Sequence, residues 1–218
     1  MKKAKVILVG NSHVGKTCLL CQFLDSSFQL EFQTTIAPDK SIKQLNLLNT
    51  DITLEIWDTA GQDNYAAANK IYMKKADIAL IVYDITDKES FENLQNWYDR
   101  VIQINDKNKV IFGVAANKSD LFEKQVVNTQ EGKKFSDSID ALFFETSAKD
   151  HGSVNKTFTG LAEKFIQQLI EKNKTKEENK ENEKLEKNQE EEKDNGNIIL
   201  DQKIHNEQGK NTKIKKKC

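Results

Sequence analysis

Four short runs carry the residue types that could do chemistry, and each has a spacing that narrows what the chemistry is. The first, Gly10-Asn-Ser-His-Val-Gly15-Lys16-Thr17, fits G-x-x-x-x-G-K-[ST] in full. Gly15 lets backbone amides close around phosphate oxygens, where a helix N-terminus also favours negative charge. Lys16 supplies a cation to β- and γ-phosphates, and the Thr17 hydroxyl can ligate Mg²⁺. A chance glycine turn before a helix is the bland alternative, and the strand-loop-helix context argues against it. Alone, the run says only that a nucleoside triphosphate binds.

The second run is Trp57-Asp58-Thr59-Ala60-Gly61-Gln62. Asp58 closes an apolar segment, where a carboxylate is costly unless it serves a metal, here Mg²⁺ through water. Gly61 can turn its N–H toward a γ-phosphate, and Gln62 can orient an attacking water. In isolation Gln62 reads as an ordinary loop glutamine; its Asp and Gly neighbours change that. The third run, Asn117-Lys118-Ser119-Asp120, decides the base. A carboxylate accepts from the N1–H and 2-amino group of guanine, whereas adenine offers an acceptor at N1 and no 2-amino donor. Such a tetrapeptide is weak by itself and strong after a buried strand downstream of a phosphate loop. The fourth run, Thr146-Ser147-Ala148-Lys149, would bring the Ala148 N–H and the Lys149 stem to the base, although alone it could be a helix-capping turn.

These runs need elements to hold them. Strands are predicted over Lys5–Val9, Ser41–Leu48, Thr53–Trp57, Ala79–Tyr83, Val110–Ala115 and Ala141–Phe144. Most are short, continuous and β-branched, as suits strands buried on both faces. Helices are predicted over Lys16–Leu24, Asn69–Lys74, Glu89–Gln103, Thr129–Ser136 and Ser153–Ile170, the last with an apolar stripe from Val154 to Ile170 behind a Ser153 cap. Strand-helix alternation implies an α/β fold, a mostly parallel six-stranded sheet with helices on both faces and ligands at the carboxyl ends of its strands. All four runs follow strands.

Composition splits the 218-residue chain into a domain at 1–170 and a hydrophilic tail at 171–218. The tail holds 13 Lys, 12 acidic and no aromatic residues, too little apolar surface to offset ordering entropy, so disorder is expected; a long solvated helix is the competing reading. The formal charge of -1 excludes a nucleic-acid-coating protein. The opening MKKAKVILVG leads straight into a strand, so secretion, membrane spanning and myristoylation are not expected. Cys18 and Cys21 sit in an apolar helical run without a second ligand pair, and read as buried, reduced thiols.

GNSHVGKT, WDTAGQ, NKSD and ETSAK, in this order and spacing, resemble the Ras superfamily of small GTPases over about residues 4–170. The P-loop, WDTAGQDNY, the Tyr83–Thr86 segment and NKSDL look closest to the Rab branch; Phe28–Ile36 and ETSAK look like its early-endosomal group. The resemblance implies a GTP-hydrolysing switch in vesicle and endosomal traffic, with Mg²⁺ at Thr17, Thr35 and Asp58. It implies GTP contacts from Gly10, Ser12, His13, Val14, Gly15, Lys16, Thr17 and Cys18, then Phe28, Thr34, Thr35, Asp58, Ala60 and Gly61, and finally Asn117, Lys118, Asp120, Leu121, Ser147, Ala148 and Lys149. Gln62 would be catalytic; Ile36, Trp57 and Tyr72 would face effectors from switches at about 29–40 and 60–74. Expected partners are guanine nucleotides, an exchange factor, an activating protein, a GDP-dissociation inhibitor or escort protein and GTP-state effectors, with no nucleic acid and a monomeric state. Expected location is the cytosol and the cytoplasmic face of intracellular, endosomal membranes.

Some positions depart from the Rab pattern. Ala37-Pro38-Asp39-Lys40 stands where Gly-x-Asp-Phe is usual, so Lys40 replaces the aromatic partner of Trp57 and Tyr72, and Asp63-Asn64 replaces Glu-Arg. His13 is bulkier than usual and is expected to point to solvent. Lys210, Lys213 and Lys215–Lys217 lead to a single Cys218, where relatives carry two cysteines or a C-a-a-X box; geranylgeranylation of Cys218 is expected all the same. Ile198-Ile199-Leu200 is either an escort-docking patch or a chance triplet. The sole arginine, Arg100, is expected away from the nucleotide runs. A P-loop kinase or ATPase is disfavoured by Asp120; a nucleotide-locked binding module without turnover is the remaining alternative.

Overall fold

The structure, a computed structural model, describes residues 2–25, 39–59 and 66–175. The chain divides into a unit of Met1–Gln168 and a second of Leu169–Cys218. In the first unit six strands form one sheet: β1 (Lys2–Val9), β2 (Asp39–Leu47), β3 (Thr50–Asp58), β4 (Ile78–Asp84), β5 (Ile111–Asn117) and β6 (Leu142–Glu145). Their order is β2-β3-β1-β4-β5-β6, with β2 antiparallel to β3 and every other pairing parallel. The mostly parallel α/β sheet expected from strand-helix alternation is thus the fold observed. Helices are α1 (Lys16–Asp25), α2 (Ala66–Met73), α3 (Lys88–Glu92), α4 (Leu94–Ile102), α5 (Thr129–Ser138) and α6 (151–168). Helical backbone is also found over 169–175 in the second unit. Among the described residues no helix is long and apolar enough to cross a membrane.

The period-two alternation of the strands sorts the core into two layers. Val6, Leu8, Leu80 and Val82 face one way, against Leu19, Leu20 and Phe23 of α1 and Phe158 and Leu161 of α6. Ile7, Val9, Ile81 and Tyr83 face the other, against Met73, Leu94, Trp97 and Val101. Phe23 and Phe158 stack at 4.2 Å, which adds about 1 kcal/mol beyond area burial and fixes α1 on α6. β4 and β5 are buried along their whole length, as their unbroken apolar runs require.

Four local expectations are corrected. The strand predicted over Ser41–Leu48 starts at Asp39 and ends at Leu47, because Leu48 and Asn49 take φ of 49° and 57° to turn the hairpin. The single helix over Glu89–Gln103 is two, broken at Asn93, which caps α3 by donating its N–H to Glu89 and Phe91 carbonyls. α6 is capped by Asp150, not Ser153: the Asp150 carboxylate accepts from the Gly152 and Ser153 amides at 3.0 and 3.1 Å. At the other end Ile166 is the last fully buried apolar residue of α6, and Ile170 is 43% exposed.

Candidate functional site

The carboxyl ends of β1, β3, β4, β5 and β6 meet along one edge, and the loops that leave them carry the four runs. β1 hands over to the 10–15 loop, in which Gly10 and Gly15 take φ of 143° and 95° and His13, exposed, takes 64°. The loop is held from three sides. The Asn117 amide donates to the Val14 carbonyl at 2.7 Å. Trp97 donates its indole N–H to the Asn11 side chain at 2.8 Å. The Lys16 ammonium donates to the Gly10 and Asn11 carbonyls at 2.9 and 2.8 Å. Lys16 is only 6% exposed, and burial lowers its pKa from 10.5 to about 8, with Asp58 opposing the shift.

That shift makes a stability prediction. The folded protein sheds the Lys16 proton near pH 8, whereas the unfolded chain keeps it to about 10.5, so the unfolded state holds more protons in between. Stability of the nucleotide-free protein should therefore rise from pH 8 to 10.5, by on the order of 3 kcal/mol from this group. The raised Cys18, Cys21 and Tyr83 groups act in the opposite direction in that window, so the Lys16 contribution should appear in urea unfolding as a rise of wild type relative to Lys16→Met from pH 8 to 10.5.

At the first turn of α1, the Thr17 hydroxyl donates to the Asp58 carboxylate at 2.5 Å, so two oxygen groups from separate runs converge beside the phosphate loop. Thr59, just after β3, is fully buried and bonds the Leu8 carbonyl at 2.6 Å, anchoring the outgoing chain to β1. Cys18 and Cys21, expected buried, are half-buried and free, and burial pushes both thiols up, away from reactive thiolate.

At the end of β5, Asn117 is fixed by the bond to Val14 and by one from Thr146 at 3.2 Å. Lys118 takes a left-handed φ of 63°, and its ammonium pairs with Asp84 at 2.6 Å. Asp120 accepts from the Ser147 hydroxyl at 2.7 Å and from the Lys149 ammonium at 2.8 Å. Partial burial pushes the Asp120 carboxyl up, but the bonds from Lys149 and Ser147 outweigh it and hold the group below the ordinary carboxylate range. Ala148, buried, and Leu121, half-buried in the 3-10 turn over Ser119–Lys124, flank it. Guanine's two donors call for such an ionised acceptor.

Residues 5–167 match the profile of the Ras family. The chain belongs to that family. Among curated relatives, RabQ of Dictyostelium discoideum is 41% identical over 162 residues, covering 74% of this chain and 79% of the relative. Rab-8B of the same organism is 40% identical over 77% and 82% of the two chains. RABE1e of Arabidopsis thaliana is 40% identical over 77% of each. The protein is a Rab-type small GTPase, an enzyme that converts GTP and water to GDP and phosphate.

In this GTPase Trp57 and Tyr72 pack together, with ring centroids 5.2 Å apart. Lys40 sits over the Trp57 ring at 5.7 Å and pairs with Glu55 at 3.0 Å, so a cation stands beside this pair. Arg100 is nearer the phosphate loop than expected: its guanidinium stacks on Trp97 at 4.6 Å and lines a cleft with Asn11 and Ser12. Phe28, Thr34, Thr35, Ile36, Ala60, Gly61, Gln62, the 63–64 substitution and the tail with Cys218 lie outside the described residues. Sequence reasoning gave no role to Asp84, Thr59 or Trp97. The only signal for Asp84 was a carboxylate ending an otherwise apolar strand.

Proposed function

We propose that this GTPase cycles between GDP and GTP states and regulates vesicle-mediated traffic, with endosomes as the finer placement. The observation that carries the nucleotide assignment is the Asp120 carboxylate, ionised and held by Ser147 and Lys149 in a loop tied to the phosphate loop through Asn117. Asp120 accepts from guanine, Lys118 and Ala148 flank the base, and the 10–15 loop amides with Lys16 hold the phosphates. The Thr17–Asp58 pair offers the hard oxygen donors Mg²⁺ prefers, so the residues present fit that ion, Thr17 directly and Asp58 through water. Mg²⁺ would supply charge neutralisation at the β- and γ-phosphates. Thr35 completes the set, and Gln62 orients the water that attacks the γ-phosphorus as its bond to the β-bridging oxygen breaks. The endosomal placement rests on the Phe28–Ile36 and ETSAK stretches.

Hydrolysis should be slow in the isolated protein. Its one arginine, although it lines a cleft with Asn11 and Ser12, is stacked on the Trp97 ring of α4, and an arginine placed at the transition state is worth roughly 10³–10⁵ in rate. Single-turnover hydrolysis of bound GTP should take minutes to hours alone and accelerate with an activating protein. Gln62→Leu should slow it further and leave GTP affinity within about threefold. Turnover faster than about once per second without a partner contradicts this reading. No hydrolysis with or without an activator favours the nucleotide-locked module, to which the substitutions at Lys40 and 63–64 lend support.

The tail from 171 would act as a tether ending in a lipidated Cys218. One lipid chain gives marginal anchoring, so the second signal must be electrostatic, and five lysines at 210–217 supply about 1 kcal/mol each near an anionic leaflet. Prenylated protein should float with anionic vesicles at low salt, less at high salt, and less again with the five lysines changed to Gln. Cys218→Ser should not float. Flotation unchanged by that substitution rules out the lipid, and indifference to salt and lysines rules out the second signal.

A further inference from the structure

We propose that Asp84 is a positioning residue of the guanine site: its carboxylate pins the Lys118 ammonium and so fixes how the Asn117–Asp120 loop meets the base. The proposal rests on the reading of that loop as the base-selecting element. Asp84 ends β4, directly opposite Asn117 in the parallel register with β5. The two strand ends are further tied by the Ile85 N–H to the Asn117 carbonyl at 3.1 Å. Lys118 is the next residue, and its left-handed φ of 63° costs a non-glycine residue about 1 kcal/mol, so something outside the local backbone must hold it. The Lys118 Nζ to Asp84 Oδ2 contact of 2.6 Å does so.

The carboxylate is itself immobilised. Its Oδ1 accepts from the Thr86 amide at 2.8 Å and the Thr86 hydroxyl at 2.7 Å. The Asp84 N–H donates to the Ser90 hydroxyl at 3.0 Å, and Ser90 is fully buried. Asp84 is 5% exposed, and a carboxylate so placed is tolerated only when its oxygens are paired, as both are. It is therefore a rigid anion at a fixed point, unlike Lys149, whose side chain is 53% exposed.

Side chains then hold the base loop at three points. Asn117 is bonded to the phosphate loop and Asp120 to the Thr146–Lys149 turn, both links between runs that the sequence already marks. The third link, Lys118 to Asp84, comes from outside them. It stretches the lysine from β5 toward β4, which leaves its hydrocarbon stem as a wall of set position for a planar base. Asp84 also forms a turn with Thr86, so a purely structural role is the competing explanation, and the test must separate the two.

Asp84→Asn keeps an acceptor for Thr86 and removes the charge that holds Lys118. Release of a fluorescent GDP analogue should be measured for the full chain as wild type, Asp84→Asn, Lys118→Met and the double variant. Asp84→Asn should speed release roughly tenfold, the order of one charge-assisted hydrogen bond, and by less than about twofold in the Lys118→Met background. Release at the wild-type rate, or the same acceleration in both backgrounds, overturns the proposal. Should Asp84→Asn fail to fold, Thr86→Val loosens the carboxylate without altering its charge; acceleration should then appear only where Lys118 is present, and acceleration independent of Lys118 overturns it. Wild-type protein that does not bind the analogue overturns the guanine-site reading as well.

Discussion

Asp120→Asn is expected to exchange guanine for xanthine selectivity. The carboxylate accepts two guanine donors, whereas an amide presents one acceptor and one donor, which suits the 2-oxo group of xanthine. A site built around hydrogen bonds to its ligand rejects an analogue that leaves them unmade by roughly 10⁴-fold, and a comparable loss of GDP affinity is expected here. The fold should survive. Ser147, 2.7 Å from the carboxylate, can rotate its hydroxyl to accept from the new amide, and Lys149 can still donate to the remaining oxygen. Competition between GDP and xanthosine diphosphate for the variant checks this, with thermal unfolding as the control. A variant that keeps its full guanine preference removes Asp120 from the base site.

Gly10→Ala should have the largest effect on stability. Gly10 has φ of 143°, and a Cβ there would lie 2.2 Å from the Val82 carbonyl oxygen. That oxygen is backbone of β4 at Val82, a residue fully buried and paired with Ala115 of β5, so it cannot give way. Strain and overlap together should cost several kcal/mol against a total stability of about 5–15. Folded yield should collapse, or the melting midpoint fall by more than about 10 °C. A midpoint within about 2 °C of wild type contradicts the close approach of loop and strand. Gly15 differs in kind: its added Cβ would meet the Asn117 side chain at 2.5 Å, so it threatens the link between two runs rather than the sheet.

What could be read from sequence follows from which forces are local. The apolar runs of β4 and β5 are buried on both faces, so composition alone marks them. The edge strand β2 alternates exposed and half-buried positions, and its start at Asp39 is set by pairing with Asp58, which no local signal carries. The break at Asn93 was hidden because the apolar residues Phe91, Leu94, Trp97 and Val101 keep a helical period across it. Asp150 captured the cap of α6 because its carboxylate reaches two amides, where Ser153 offers one hydroxyl.

At the site, residue types were legible wherever spacing within one run fixed the chemistry, as in the 10–17 loop and in Asn117–Asp120. Links between runs were not. The Trp97–Asn11 bond joins residues 86 apart, and the Lys118–Asp84 pair exists because two strands lie side by side. Arg100 was misplaced for the same reason: its approach to Asn11 and Ser12 is set by how α4 packs on the sheet.

The measurement that bears most directly on the central claim is displacement of a fluorescent GDP analogue from the purified wild-type protein by GTP, GDP and ATP, each with Mg²⁺. With Asp120 as the base acceptor, GTP and GDP should displace it with similar potency and ATP at least about 10³-fold less effectively. Displacement by ATP as readily as by GTP would contradict the assignment of this site to guanine nucleotides.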